Sequence, residues 1–387
     1  MTDSCSPGTD PIARAARAAL AVPQPALEAA IAAALREVIA TAETELGNRL
    51  VSLALWGSLS RGEGRWEWRG GDPHLLSDLD IYVLVRPGTP RAAQFGRELG
   101  EAMARRGMDL EVYVRPAWQV RFRGRPTVLA ELRQSGLLLA GAPLTRFVPE
   151  PPQCRFHVGQ GCRRLYSFAR KAVVAAAARS PHLAATPVEA AKLASVTADF
   201  LTMSRGEYYP RLADKVTRGA EIAVQGLALP PAAAQALLQA PAALRVVRPG
   251  HADAGRYWSQ VQQALVAVLQ AVLLPGREGA TLADLAPLMR RRARRAYGGG
   301  LRRPVSALRF RRGLRRGARF RLCAHEDALD AALLLLGCLG DESEARSASG
   351  AAAYLRRAGV PVPDLPDREG ALYGVEAIAR LDALGAL

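Results

Sequence analysis

The sequence predicts an α+β protein: an N-terminal mixed β-sheet with helices, followed by an all-helical domain and a basic C-terminal extension. Three observations carry this. Short runs rich in β-branched and aromatic residues, at 51–56, 79–85 and 108–114, are separated by segments of helical spacing. Beyond residue 151 no strand pattern and no fixed-period repeat is visible. Fourteen arginines fall between Arg290 and Arg321, with no acid between Asp284 and Glu326.

Taken in order, residues 1–11 read as disordered and 26–50 as an Ala-rich helix leading into a strand at 51–56. Gly57 breaks that strand, and 59–65 can open a short helix. Residues 65–75, with two tryptophans and two glycines at 66–71, read as a loop. A second strand at 79–85 closes at Pro87-Gly88, a helix at 92–106 ends at Gly107, and a third strand at 108–114 closes at Pro116. This order suggests a small sheet with helices on one side. Further helices are expected at 161–178, 187–205, 209–226 and 253–274. The domain boundaries that follow are 1–24 (disordered or helical), 25–150 (sheet domain), 151–285 (helical domain), 286–324 (Arg-rich segment, read as a loop flanked by short elements) and 325–387 (a last helical region interrupted by prolines).

The formal net charge of +16 is concentrated: without the fourteen belt arginines the chain carries only +2. Three lysines against 49 arginines suggest that codon bias supplies part of the excess. No run reaches the roughly 18 apolar residues of a membrane span, and the N-terminus lacks the pattern of a signal peptide. Five cysteines without a CxxC pair argue against a disulfide framework or a zinc site, so a cytoplasmic setting is expected.

The chemistry concentrates at the strand starts. Asp78 and Asp80 are two residues apart beside the apolar run 81–85, so both project toward one face. Two carboxylates side by side repel unless a cation neutralises them, and hard oxygens suit magnesium. The third strand, MDLEVYV, offers Asp109 and Glu111 on a shared face as the third acid. Such a set suits metal-assisted phosphoryl or nucleotidyl transfer. Gly57-Ser58 adds a turn whose N–H groups, with the Ser58 hydroxyl, can approach a triphosphate.

Together, Gly57-Ser58, SDLDIYV at 77–83 and LEVYV at 110–114 resemble the nucleotidyltransferases of the DNA polymerase β superfamily, most of all the aminoglycoside adenylyltransferases acting on streptomycin and spectinomycin. The resemblance implies a nucleotidyltransferase-type sheet domain, ATP as co-substrate and two Mg2+ ions held by Asp78, Asp80 and Glu111, with Glu111 as base. It implies phosphate contacts from Gly57, Ser58 and Ser77. LLLAGAPL at 137–144 resembles the family's crossing into the helical domain. LTMSRGEYYPR at 201–211 resembles a stretch whose lysine contacts ATP phosphates, and Arg211 stands at that lysine's position. The likeness covers residues 25–225, strong in the first half and faint in the second. Two departures stand out: the 19 residues between Ser58 and Asp78 exceed the family's spacing, and Ala198 stands where the family has an arginine.

The expected reaction moves a nucleoside monophosphate, AMP from ATP, onto a hydroxyl of an acceptor. The candidate acceptor is an aminoglycoside-like small molecule. The alternatives are RNA or a protein recruited by the belt from Arg290 to Arg321, or a silent nucleotide- or RNA-binding protein. Lys215, Arg205 and Arg211 read primarily as a solvated helix face, and Trp66 and Trp68 as a hydrophobic cover or a stacking surface for base or sugar.

Overall fold

The computed structural model describes residues 10–89, 92–105, 107–123, 126–150, 156–178, 186–245, 251–277, 279–296, 330–335, 345–358, 360, 362 and 374–379. The chain is mixed α+β with helix predominating. It divides into two compact units, Met1–Arg155 with Arg245–Arg248, and Phe156–Leu244 with Pro249–Leu387.

The first unit begins earlier than the sequence suggests. Asp10 caps helix α1 (Pro11–Ala19), its carboxylate accepting from Ile12 N at 2.9 Å, so residues 10 and 11 are ordered by a cap and an N1 proline. Helix α2 (Pro25–Leu46) stops at Gly47, whose φ of 48° favours glycine. Strand β1 (Leu50–Trp56) then enters the sheet. The turn α3 (Gly57–Ser60) starts two residues before the expected short helix. The expected loop at 65–75 is instead a hairpin, β2 (Trp66–Arg69) and β3 (Asp72–Leu75). Its two-residue link, Gly70-Gly71, has φ of 57° and 97°, the backbone that matches strand twist in a tight hairpin.

Strand β4 (Leu79–Val85), helix α4 (Ala92–Ala104) and strand β5 (Leu110–Pro116) follow, the last ending in the proline expected to stop it. Gly96 and Gly100 let α4 lie close on β5: a Cβ at either would be 3.3 Å from Val114 or the Leu110 carbonyl. Helices α5 (Ala117–Arg123) and α6 (Pro126–Ser135) lead to β6 (Leu137–Gly141), so the LLLAG stretch is a fourth strand of the sheet.

Sheet order is β5-β4-β1-β6, with β1 antiparallel to β4 and β6, and β4 parallel to β5. One face, with Leu53, Leu55, Ile81 and Val83, packs on Ile31, Leu35, Phe95 and Leu99 from α2 and α4. The other carries Ala54, Trp56, Tyr82 and Leu84 against Val120, Leu129 and Leu132 from α5 and α6. Helices therefore cover both faces, not one.

In the second unit, α7 (Val158–Ala178), α8 (Pro187–Ser204), α9 (Leu212–Glu221), α10 (Pro231–Leu238), α11 (Ala240–Arg245), α12 (His251–Leu273), α13 (Leu282–Ala296) and α14 (Ala345–Arg357) are helical, and no strand occurs among its described residues. A capping box between Thr186 and Glu189 starts α8, and α9 continues into a π-helical turn, Ile222–Gly226. Asp199 of α8, fully buried, pairs with Arg164 of α7 at 2.7 Å and Lys215 of α9 at 2.9 Å. Lys215, expected on a solvated face, is buried because that carboxylate neutralises it. Ala198 is buried against Gly219, where two helices approach too closely for an arginine. Of the Arg-rich belt, Arg290 to Arg295 lie in the last turns of α13 and the rest lies outside the described residues. Arg290 pairs with the buried Asp330, which also accepts from the Tyr166 hydroxyl at 2.6 Å.

Candidate active site

The acidic site forms where β1 ends and β4 and β5 begin. Alternation along β4 sends Leu79, Ile81 and Val83 to the α2–α4 core, so Asp80, Tyr82 and Leu84 take the opposite face; Asp78 precedes the strand, and its charge acts on Asp80. Parallel pairing sets Asp80 opposite Glu111 and Tyr82 opposite Tyr113, whereas antiparallel pairing sets Asp80 opposite Trp56. The two acids therefore share one face on adjacent strands.

Gly57 makes room for Asp80. Its φ is 76°, and a Cβ built on it would stand 2.1 Å from Asp80 Oδ2. The Asp80 carboxylate occupies the space that any other residue at 57 would fill. Burial, then the charges of Glu111, Asp78 and Glu131, push the Asp80 carboxyl up to about 7, with Arg61 acting against them. A carboxyl so displaced marks an excess of negative charge in a partly dry corner, a frequent property of functional sites.

Tyr113 donates its hydroxyl to Glu111 Oε2 and is held well above the usual phenol range, by burial first and Glu111 second. Trp56 meets Tyr82 and Tyr113 edge-on at 5.7 and 5.2 Å, and Tyr82 stacks on Tyr113 at 6.3 Å. These three rings form a firm apolar floor beside the acids. Trp56 Nε1 is buried without a hydrogen-bond acceptor.

The other sequence-derived candidates separate clearly. Asp109 and Glu111 are both exposed; the Asp109 backbone carbonyl accepts from Leu79 N at 2.8 Å, and Glu111 is the charge that acts most strongly on Asp80. Ser58 closes the turn through its carbonyl, which accepts from Arg61 N at 3.2 Å and Glu63 N at 2.9 Å. Ser77 Oγ accepts from Arg65 N at 2.9 Å and so ties the hairpin base beside Asp78. Arg211 belongs to the second unit, exposed at the N-cap of α9. Trp66 is buried in the α2–α4 core and donates to the Val22 carbonyl at 2.9 Å, which accounts for it as a cover; Trp68 remains 42% exposed.

The sequence reading missed Glu131 and Arg61. Arg61 Nε holds Glu63 Oε2 at 2.8 Å, and Arg61 Nη1 stands 3.7 Å from Glu131 Oε2. Both belong near Asp80, yet Glu131 arrives from α6, 51 residues along the chain. An acid amid the buried Leu129, Ala130 and Leu132 was the available signal.

Among the described residues, no three acidic, histidine or cysteine side chains stand at the spacing of a finished metal cage. The donor chemistry nonetheless fits magnesium: hard carboxylate oxygens, negative charge in excess, and a turn without a Cβ against which Asp80 seats. Asp78, Asp80 and Glu111 are the residues that would hold it. No helix among the described residues is long and apolar enough to cross a membrane. Comparison with protein-family models, curated proteins and solved structures found no match.

Proposed function

We propose that the protein is a magnesium-dependent nucleotidyltransferase that moves a nucleoside monophosphate, AMP from ATP, onto an acceptor hydroxyl. One observation carries this reading: Asp80 faces Glu111 across the parallel β4–β5 pair and seats its carboxylate against Gly57. A chain placing like charges there for stability alone has no reason to do so, since they raise the cost of folding.

In this reading the Gly57-Ser58 turn contacts the triphosphate with backbone N–H groups and a hydroxyl, while Asp78 and Asp80 face the same phosphates. Magnesium, when bound, supplies the charge neutralisation that a triphosphate requires beside carboxylates. Glu111, held by the Tyr113 hydroxyl, accepts the proton of the acceptor hydroxyl. The acceptor oxygen then bonds to the α-phosphorus as its bond to the pyrophosphate oxygen breaks. The aromatic floor of Trp56, Tyr82 and Tyr113 keeps the acids rigid.

The test is incubation with magnesium and each labelled nucleoside triphosphate against candidate acceptors, with pyrophosphate release as readout. Asp80→Ala is expected to abolish release while circular dichroism stays unchanged. Equal turnover in that variant refutes the assignment. A second reading, transfer onto RNA, rests on the fourteen arginines between Arg290 and Arg321. Filter binding of labelled tRNA across a salt series distinguishes it, and a slope near zero removes it.

A further inference from the structure

Arg61, the base whose charge acts against the acids around Asp80, is placed where it can act on the geometry of the site. Arg61 caps the Gly-Ser turn, its N–H donating to the Ser58 carbonyl at 3.2 Å. Its guanidinium reaches two carboxylates on separate segments: Glu63 Oε2 at 2.8 Å and Glu131 Oε2 at 3.7 Å. All three side chains are largely withdrawn from water, 14% exposed for Arg61, 22% for Glu63 and 13% for Glu131. Glu131 sits on α6, whose Leu129 and Leu132 pack on the sheet face that carries Asp80 and Trp56. Arg61 therefore ties the turn that seats Asp80 to the helix that walls the site.

We infer that Arg61 is a positioning residue for the transfer reaction, acting through Glu131 to hold α6 and the Gly-Ser turn in register around Asp80. This rests on the nucleotidyl-transfer reading above. The chemistry favours arginine specifically: a planar fork can face two carboxylates at once, whereas a lysine ammonium is a point charge that serves one. Removing the guanidinium takes away the ion-pair partner that links Glu131 to the turn and so loosens α6 from it. It also takes away a cation that competes for the same acids. Slower turnover and tighter cation binding are then expected together, a pair that simple loss of packing does not produce.

The experiment compares wild type with Arg61→Met, Arg61→Lys, Glu131→Gln and the double variant Arg61→Met/Glu131→Gln. It measures kcat and KM for pyrophosphate release, Mn2+ affinity by calorimetry without nucleotide, and urea denaturation. Arg61→Met is expected to lower kcat by about 10-fold or more, with KM for the triphosphate changed less than about 3-fold. Its Mn2+ affinity should rise about 3-fold or more, since one competing charge is gone. Arg61→Lys should recover part of kcat, and Glu131→Gln should cost about 3-fold less kcat in the Arg61→Met background than in wild type, because the two residues act through one contact. Wild-type kcat in Arg61→Met overturns the inference alone, as does a parallel loss of Mn2+ affinity and stability, which marks a purely structural role. Absence of pyrophosphate release from the wild type overturns the transfer reading and this inference with it.

Discussion

Replacing Asp80 with asparagine should stabilise the protein while ending its proposed activity. The carboxyl is pushed up to about 7 by burial and by Glu111, Asp78 and Glu131, against an ordinary value of 3.8. The folded state therefore holds that proton more tightly than the unfolded state. Below pH 3.8 both states are protonated and Asp80 costs nothing; between 3.8 and about 7 stability falls as pH rises, and above that the full penalty remains. The full gap corresponds to an upper figure of about 4 kcal/mol, of which about 2–3 kcal/mol accrues between pH 5 and pH 8. Asparagine carries no charge and escapes this slope. Urea denaturation in EDTA at the two pH values measures it. Tryptophan fluorescence suits the assay, because Trp56, Trp66, Trp68 and Trp118 all lie in the first unit. The advantage of Asp80→Asn over wild type should grow by about 2 kcal/mol from pH 5 to pH 8. A constant or shrinking difference would refute the argument that charge crowding displaces this group.

Two further perturbations follow from the packing. Gly57→Ala drives a Cβ toward Asp80 Oδ2 in a backbone with φ of 76°, and should cost about 1–3 kcal/mol and most of the turnover. Part of the stability should return in Gly57→Ala/Asp80→Ala, so strictly additive losses would count against the clash. In the helical unit, Asp199→Ala removes the carboxylate that the buried Lys215 shares with Arg164 and should lower stability by about 3–5 kcal/mol, read from thermal melts of the helical signal. Pairing it with Lys215→Met should restore more than half; a loss below about 1 kcal/mol in the single variant would show that the buried pair contributes little.

Much of the first unit was legible because strand period and turn chemistry are local. The run 79–85 matches β4 residue for residue, and alternation alone put Asp80 on the face opposite Leu79 and Ile81. Gly57 could be singled out as a turn, but its task of leaving space for Asp80 depends on β1 pairing antiparallel with β4. The hairpin at 66–75 was readable too, since Gly-Gly between WEWR and DPHL is a tight-turn signal; the density of glycine and tryptophan obscured it. Strand β6 was hidden in a short run, LLLAG, that only its pairing with β1 identifies. Lys215 looked solvated because helical spacing says nothing of a carboxylate on a neighbouring helix.

The amino-acid order by itself determined β1 and β4, the helical character of the second unit's described residues and the break at Gly57-Ser58, all of which arise within a few residues of chain. Tertiary structure set Glu111 opposite Asp80, through the register of β5 on β4, and brought in Arg61 and Glu131. Those depend on which strands become neighbours and which helix folds back over them. Backbone periodicity fixes the direction of a side chain, whereas its partners are fixed by burial summed over the whole unit.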